Sequence, residues 1–160
     1  MPDRQANRNL KLYDIVEYAG YRWFVINLDK DSATLLACDN VFGSAIYSEG
    51  PNTYGGSEAR KYLLSNVWPI LKAKKARPMP AILPDSPCKD RLYLLSFEEA
   101  RKLPVRVRRF DKGWWVRSSV YSDSYASFVS YGGMVGVAHS SYEPMAMRPA
   151  IQVPRNLLES

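Results

Sequence analysis

Eleven prolines and nine glycines are spread along the 160 residues, so the chain must turn often and its elements must be short. The clearest run between breaks is LYDIVEYAGYRWFVINLDKDSATLLACD. Leu12, Asp14 and Val16 alternate there with Tyr13, Ile15 and Glu17, the period of a half-buried strand. Gly20 offers a turn. Tyr21 to Leu28 reads as a longer strand with Trp23, Val25 and Asn27 on one face. Asp29-Lys30-Asp31 is a polar turn and Ser32 to Ala37 a third strand, so a three-stranded antiparallel meander is expected.

The next stretch, VFGSAIYSEGPNTYGG, carries turn residues and reads as an irregular loop. Ser57 follows as a helix N-cap, with Glu58 in the first turn where the helix dipole favours an acid. Ala59, Tyr62, Leu63 and Asn66 fall at helical spacing, which predicts a helix over 57–66 broken by Trp68-Pro69. Ile70 to Lys75 forms a short further turn, and Pro78, Pro80, Pro84 and Pro87 keep the chain extended. Arg91 to Leu95 reads as a strand. Ser96 caps a short helix, FEEARK, with Glu99 at capping-box distance, and Pro104 ends it. Strands are expected at Gly113 to Arg117, Ala126 to Ser130, Gly133 to Ala138 and Met147 to Val153. The fold class is α+β, with mainly antiparallel short strands and two helices. With 46% hydrophobic and 12% aromatic residues, one domain of this length buries a sizeable core.

The formal charge is +6. Most of the excess sits in LKAKKARPMP (71–80) and RKLPVRVRRF (101–110). Such a balance suits nucleic acid, an anionic surface or an acidic protein, and also plain solubility. No zinc-finger spacing or RNA-binding aromatic signature accompanies it. No apolar run approaches the roughly 20 residues that span a bilayer. MPDRQANRNL has no apolar centre, so residues 1–9 are expected to be disordered rather than a secretory signal. Cys38 follows an apolar run and reads as a small buried hydrophobe, while Cys88 sits in a Pro-rich loop. Two cysteines are not a disulfide framework, and a bridge between them stays open.

Catalytic chemistry has little to work with. His139 is the single histidine and has no activated nucleophile near it in sequence. One histidine and two separated cysteines make no zinc site. YGGSEAR lacks the ending of a phosphate loop, and DKDSATLLACDN lacks calcium-loop spacing. No cofactor and no metal are expected, and an enzyme is the minority reading.

One segment departs from the rest. From Ser118 to Tyr142 there is no Lys, Arg, Glu, Gln or Trp in a chain that is otherwise lysine-bearing. Tyr, Ser and Gly dominate it. Tyr offers a large, stiff, amphipathic contact at low entropic cost, and Ser and Gly offer adaptable hydrogen bonding. Facing outward, these residues form a recognition surface. Facing inward, they are aromatics filling the core of a β-rich segment.

The C-terminal third carries Trp114-Trp115-Val116-Arg117-Ser118, then Ala126, Val129, Gly133 and Val135, then Arg148-Pro149-Ala150-Ile151. On these residues the chain resembles the variable (target) proteins of diversity-generating retroelements, in a bacterial and phage family with a Trp-Trp-Leu-Arg-Ser … Arg-Pro-Ala-Leu signature. Upstream, SEARKYLL (57–64), LYLLSFEEA (92–100) and YRWFVI (21–26) are similar to further family elements, so the likeness covers residues 10–153. Val116 and Ile151 stand in place of Leu, Tyr62 in place of Trp, Met147 where Val is usual and Ser119 where Pro is common. The resemblance implies a C-type-lectin-like fold. It also implies mutagenesis of template adenines, which turns AAY codons into codons that cannot encode Lys, Glu, Gln, Met or Trp. Met134 alone of these five occurs between Ser118 and Tyr142, and it lies between the signature residues Gly133 and Val135. Glu143-Pro144 is only a faint likeness to calcium-dependent sugar-binding lectins, so neither calcium nor carbohydrate is implied.

These readings combine into one expectation. A domain over 10–153 carries a variable ligand-binding segment at 118–142, and a tail follows over 154–160. Trp114, Trp115, Val129, Val135 and 148–151 are framework, and Arg117 and Arg148 are internal braces. The expected contacts are Tyr121, Ser122, Ser124, Tyr125, Ser127, Phe128, Ser130, Tyr131, His139, Ser141 and Tyr142. The expected partner is a protein or cell-surface macromolecule. The alternative is a basic phage or mobile-element protein that holds nucleic acid or a host factor through Lys72, Lys74, Lys75, Arg106, Arg108 and Arg109. An enzyme on the related formylglycine-generating scaffold is disfavoured, because the reactive cysteine pair near the C-terminus is missing. Location stays open between cytoplasm, virion and cell surface, and oligomeric state is equally open.

Overall fold

The computed structural model describes residues 9–48, 54–83, 89–119, 125–139 and 144–159, apart from the side chains of residues 82, 118, 119, 139 and 159. Residues 1–8, Cys88, Tyr121, Ser122, Ser124, Ser141 and Tyr142 lie outside the described residues. What is described is α+β: two sheets of mostly antiparallel strands, a two-stranded ribbon, one long helix and several short ones.

The expected meander forms half of the first sheet. Strands β1 (Ile15–Tyr18), β2 (Tyr21–Leu28) and β3 (Ser32–Ala37) pair in sequence, antiparallel. A two-residue turn joins β1 to β2, with Ala19 and Gly20 both at positive φ (53° and 80°), the twist a tight hairpin needs. Trp23 and Val25 are fully buried, but Asn27 is exposed rather than sharing their face. The ladder shifts register between Val25 and Asn27, and one extra residue in a strand turns the following side chains to the other face. The closing strand β11 (Ala150–Pro154) pairs antiparallel with β3, giving the order β1-β2-β3-β11. β3 is therefore covered along both edges, and its Leu35 and Leu36 are both fully buried.

The second sheet has the order β4-β10-β7-β8-β9. It is built from β4 (Ser44–Ala45), β10 (Met145–Ala146), β7 (Trp114–Ser119), β8 (Tyr125–Val129) and β9 (Val135–His139). Only the β10–β7 contact is parallel. The ribbon pairs β5 (Ala81–Ile82) with β6 (Lys89–Asp90).

The long helix corrects one expectation. It begins at Glu58, capped by Ser57, whose Oγ accepts from Arg60 N at 3.1 Å. It does not break at Trp68-Pro69. Its α-segments Glu58–Tyr62 and Trp68–Ala73 are joined by a π-turn over Leu63–Val67. Proline lacks the N–H that a regular α-turn would use, and a π-bulge releases that bond without ending the helix. Arg60 leaves the helix to grip Asp90 with two bonds of 2.9 Å, which ties it to the ribbon.

The segment RLYLL is also corrected. It is extended but is no strand: a single bridge joins Tyr93 to Ala150. Leu94 takes its backbone bonds from side chains, and Leu95 O accepts from the backbone N of Arg117 in β7. The capping box at Ser96 forms as expected and starts a helix at Phe97–Arg101. A second short helix, Val105–Arg108, was not foreseen. Within the expected tail, Asn156–Glu159 is helical and Leu158 reaches the core. Among the described residues no helix is long and apolar enough to cross a membrane.

Candidate functional site

The framework residues of the signature are interior. Trp114, Trp115, Val116, Val129, Ala150 and Ile151 are fully buried, and Val135 is half-buried. The Trp114 indole donates to Arg108 O (3.1 Å) and the Trp115 indole to Ala45 O (2.8 Å). A buried indole N–H needs such a partner, and here each bond also pins a neighbouring loop.

Both arginines are braces. Arg148 is fully buried; its Nε donates to Ala37 O (2.7 Å) and its Nη1 to Val107 O (2.8 Å). Its guanidinium lies 4.5 Å from the Phe110 ring centroid and 4.8 Å from that of Trp114. Burial pushes its pKa down to about 9, so it stays cationic at neutral pH. Arg117 donates through Nη1 to Leu94 O and to Glu99 Oε1, both at 2.8 Å. That Glu99 oxygen also accepts from Ser96 N, so one carboxylate closes the capping box and anchors β7. Leu94 N bonds to the Tyr54 hydroxyl and Leu94 O to the Arg117 side chain, so at this residue side chains replace a strand partner, while Leu95 O accepts from Arg117 N of β7.

The β8–β9 hairpin stands on this frame. Tyr125 pairs with His139, Ser127 with Val137, and Phe128 with Gly136. Directly opposed residues share a face, so Tyr125, Ser127 and Val137 belong to one side and Phe128 to the other. Tyr125 is 44% exposed and Tyr131 73%. Met134 and Val137, which composition did not single out, are exposed as well. His139 lies in the strand, and its side chain is outside the described residues.

Three expected contacts have other roles. Ser127 is fully buried, which removes it from any contact surface in this arrangement. Phe128 is half-buried; its ring lies against Gly136, where a Cβ would stand 3.6 Å away, and meets Trp115 edge-on at 6.4 Å. Glycine lets the phenyl ring cover the strand there, as in aromatic cover of sheet glycines. Ser130 is half-buried and braces the turn: its Oγ accepts from Met134 N (3.1 Å), while its backbone bonds to Met134 O and Gly133 N. The exposed aromatic core of the expected face, within the described residues, is therefore Tyr125 and Tyr131.

The Ser127 hydroxyl has no hydrogen-bond partner. An unpaired buried hydroxyl carries its desolvation penalty without return. Ser127→Ala is therefore expected to raise the unfolding free energy by about 1 kcal/mol, read as a higher urea midpoint at unchanged slope.

Cys38 is a free, half-buried thiol, and burial pushes its pKa up to about 11. It stays protonated at neutral pH and is a weak nucleophile. Among the described residues no three His, Cys, Asp or Glu side chains converge as metal ligands would. No protein-family model, curated protein or solved structure matches the chain.

Proposed function

We propose that this is a ligand-binding protein without catalytic chemistry of its own. It displays a diversified Tyr/Ser-rich surface on a rigid C-type-lectin-like scaffold, and its partner is a protein or cell-surface macromolecule. The observation that carries the reading is a contrast between the frame and the β8–β9 hairpin that stands on it. The signature residues Trp114, Trp115, Arg117, Val129 and Arg148 are buried, whereas Tyr125 and Tyr131 stand out from the segment that lacks long charged side chains.

Two measurements test the proposal. The first is the neighbouring DNA, which should hold a reverse-transcriptase gene and a near-copy of codons 114–151 with adenines at the exposed positions. Absence of both removes the diversification. The second is the pair Tyr125→Ala and Tyr131→Ala. Each should leave stability within about 0.5 kcal/mol of the parent, because exposed side chains contribute little to folding. Each should weaken binding to a selected protein ligand by about 2 kcal/mol, the scale of an aromatic anchor. Unfolding of either variant would place these rings in the core and end the reading.

The basic residues do not act as one set. Arg106 lies over the Tyr13 ring (5.8 Å to its centroid), and Arg108 Nη1 donates to Arg101 O (3.2 Å).

A further inference from the structure

The aromatic tip and the basic stretch 101–110 are separate in the sequence but meet in the fold. Gly133, at φ 95°, seats the β8–β9 turn on the short helix Val105–Arg108. A Cβ at Gly133 would lie 3.4 Å from Val105 Cγ1, 3.6 Å from Arg108 Cβ and 3.6 Å from Arg109 Cγ. Phe110 N donates to Tyr131 O (3.2 Å), which fixes the same junction from the next residue. The positive φ favours glycine at this position, while the distances to the helix are those of ordinary packing contacts.

The surface at this junction is mixed in a specific way. Val105 (43%), Tyr131 (73%) and Met134 (75%) are exposed apolar side chains around it. Arg109 is exposed beside them, and no carboxylate among the described residues pairs with it. Tyr, Met and Arg are the residue types enriched at protein interfaces, where an aromatic anchor fills a pocket and an arginine meets a carboxylate. Arg106 and Arg108 lie on the same short helix, so what favours a protein over a phosphate backbone here is the exposed apolar tip beside Arg109.

We propose that the β8–β9 tip and Arg109 form one docking surface for an acidic protein epitope, in which a carboxylate lies beside an apolar socket. Tyr131 and Met134 enter the socket and Arg109 meets the carboxylate. The inference rests on the ligand-binding reading above and adds the chemistry of the partner. Because Arg109 lies outside the variable segment 118–142, it would give every variant of the face the same bias toward acidic partners.

The test uses the full chain and a random peptide library displayed on phage. Peptides selected on the parent protein are then titrated against it, Arg109→Gln and Tyr131→Ala, at low and high salt, with an arbitrary single-stranded oligonucleotide alongside. Both residues are exposed, so both variants are expected to fold. The selected peptides should carry Asp or Glu next to an apolar residue. Arg109→Gln should weaken them about tenfold, with most of the salt dependence lost. Tyr131→Ala should weaken them about thirtyfold. Peptides without acidic enrichment, or undiminished binding to Arg109→Gln, overturn the acidic partner. If Tyr131→Ala still loses binding in that case, the recognition face itself stands. Loss in Arg109→Gln with full binding by Tyr131→Ala overturns the recognition face instead. An oligonucleotide that binds more tightly than the peptides and displaces them overturns the protein partner in favour of nucleic acid.

Discussion

Truncating Arg148 to alanine is expected to lower the unfolding free energy by about 3–5 kcal/mol. Its two backbone bonds run to different parts of the fold. Ala37 O closes β3 in the first sheet, and Val107 O belongs to the short helix that packs under the β8–β9 turn. Removing the side chain leaves two carbonyls facing a void lined by Phe110 and Trp114. Orphaned buried acceptors and an unfilled cavity are each destabilising by a few kcal/mol. Burial of the charge opposes this, since it pushes the arginine pKa down to about 9. The opposing effect has a definite pH window. Below about 9 the folded and unfolded chains both hold this proton, so stability does not vary with pH on its account. Above that value the unfolded chain binds the proton more firmly, and stability rises with pH until the ordinary arginine range is reached. Arg148→Met separates packing from hydrogen bonding, because it restores most of the volume and none of the donors. About half of the alanine loss should remain in urea unfolding of Arg148→Met. A methionine variant as stable as the parent would show that the two carbonyl bonds hold nothing.

How much was legible in advance follows from the range of each interaction. The meander and the two caps are local: a turn of Ala19-Gly20, a serine before Glu58 and a Ser96–Glu99 pair each act within a few residues. The partner of β3 is more than a hundred residues away, and no local pattern names it. Alternation placed Asn27 inward because it could not register a bulge one residue earlier. A proline was read as a helix stop, and the π-turn that accommodates it depends on how Leu63 and Val67 are buried. RLYLL has strand composition, yet side chains from Tyr54 and Arg117 take the backbone bonds that a neighbouring strand would.

The candidate site divides in the same way. The braces Arg117 and Arg148 and the buried tryptophans were anticipated through a resemblance rather than through spacing. Composition treated Tyr125, Ser127, Phe128 and Ser130 alike, whereas the hairpin gives each a different surrounding. Ser127 is fully buried although it opposes the exposed Val137, and Phe128 covers Gly136. Tertiary contacts at Gly133 and Tyr131 bring Arg109 to the tip, so the junction of the basic and aromatic stretches could not be read from either alone.

Trp115→Ala is expected to be the other severe change, at about 3–5 kcal/mol. Trp115 is fully buried at the point where the frame meets the β8–β9 hairpin. Its indole bonds to Ala45 O, its ring meets Tyr47 edge-on at 5.6 Å, and Phe128 meets it at 6.4 Å from β8. Tyr47 in turn donates its hydroxyl to Arg117 O (2.8 Å), so the void would reach the second brace. Alanine would orphan Ala45 O, remove two edge-to-face contacts and leave Phe128 without the surface that supports it. Trp115→Phe keeps much of the ring contact but loses the N–H, and about 1–3 kcal/mol of the total should go with that bond. The contrast with the hairpin surface makes the measurement decisive. Urea midpoints should fall steeply for Trp115→Ala and hardly at all for Tyr131→Ala, although Tyr131 is also a large aromatic in the same sheet region. Equal losses at the two positions would mean that frame and display surface are not mechanically distinct. A protein built that way could not exchange one surface for another without refolding its core.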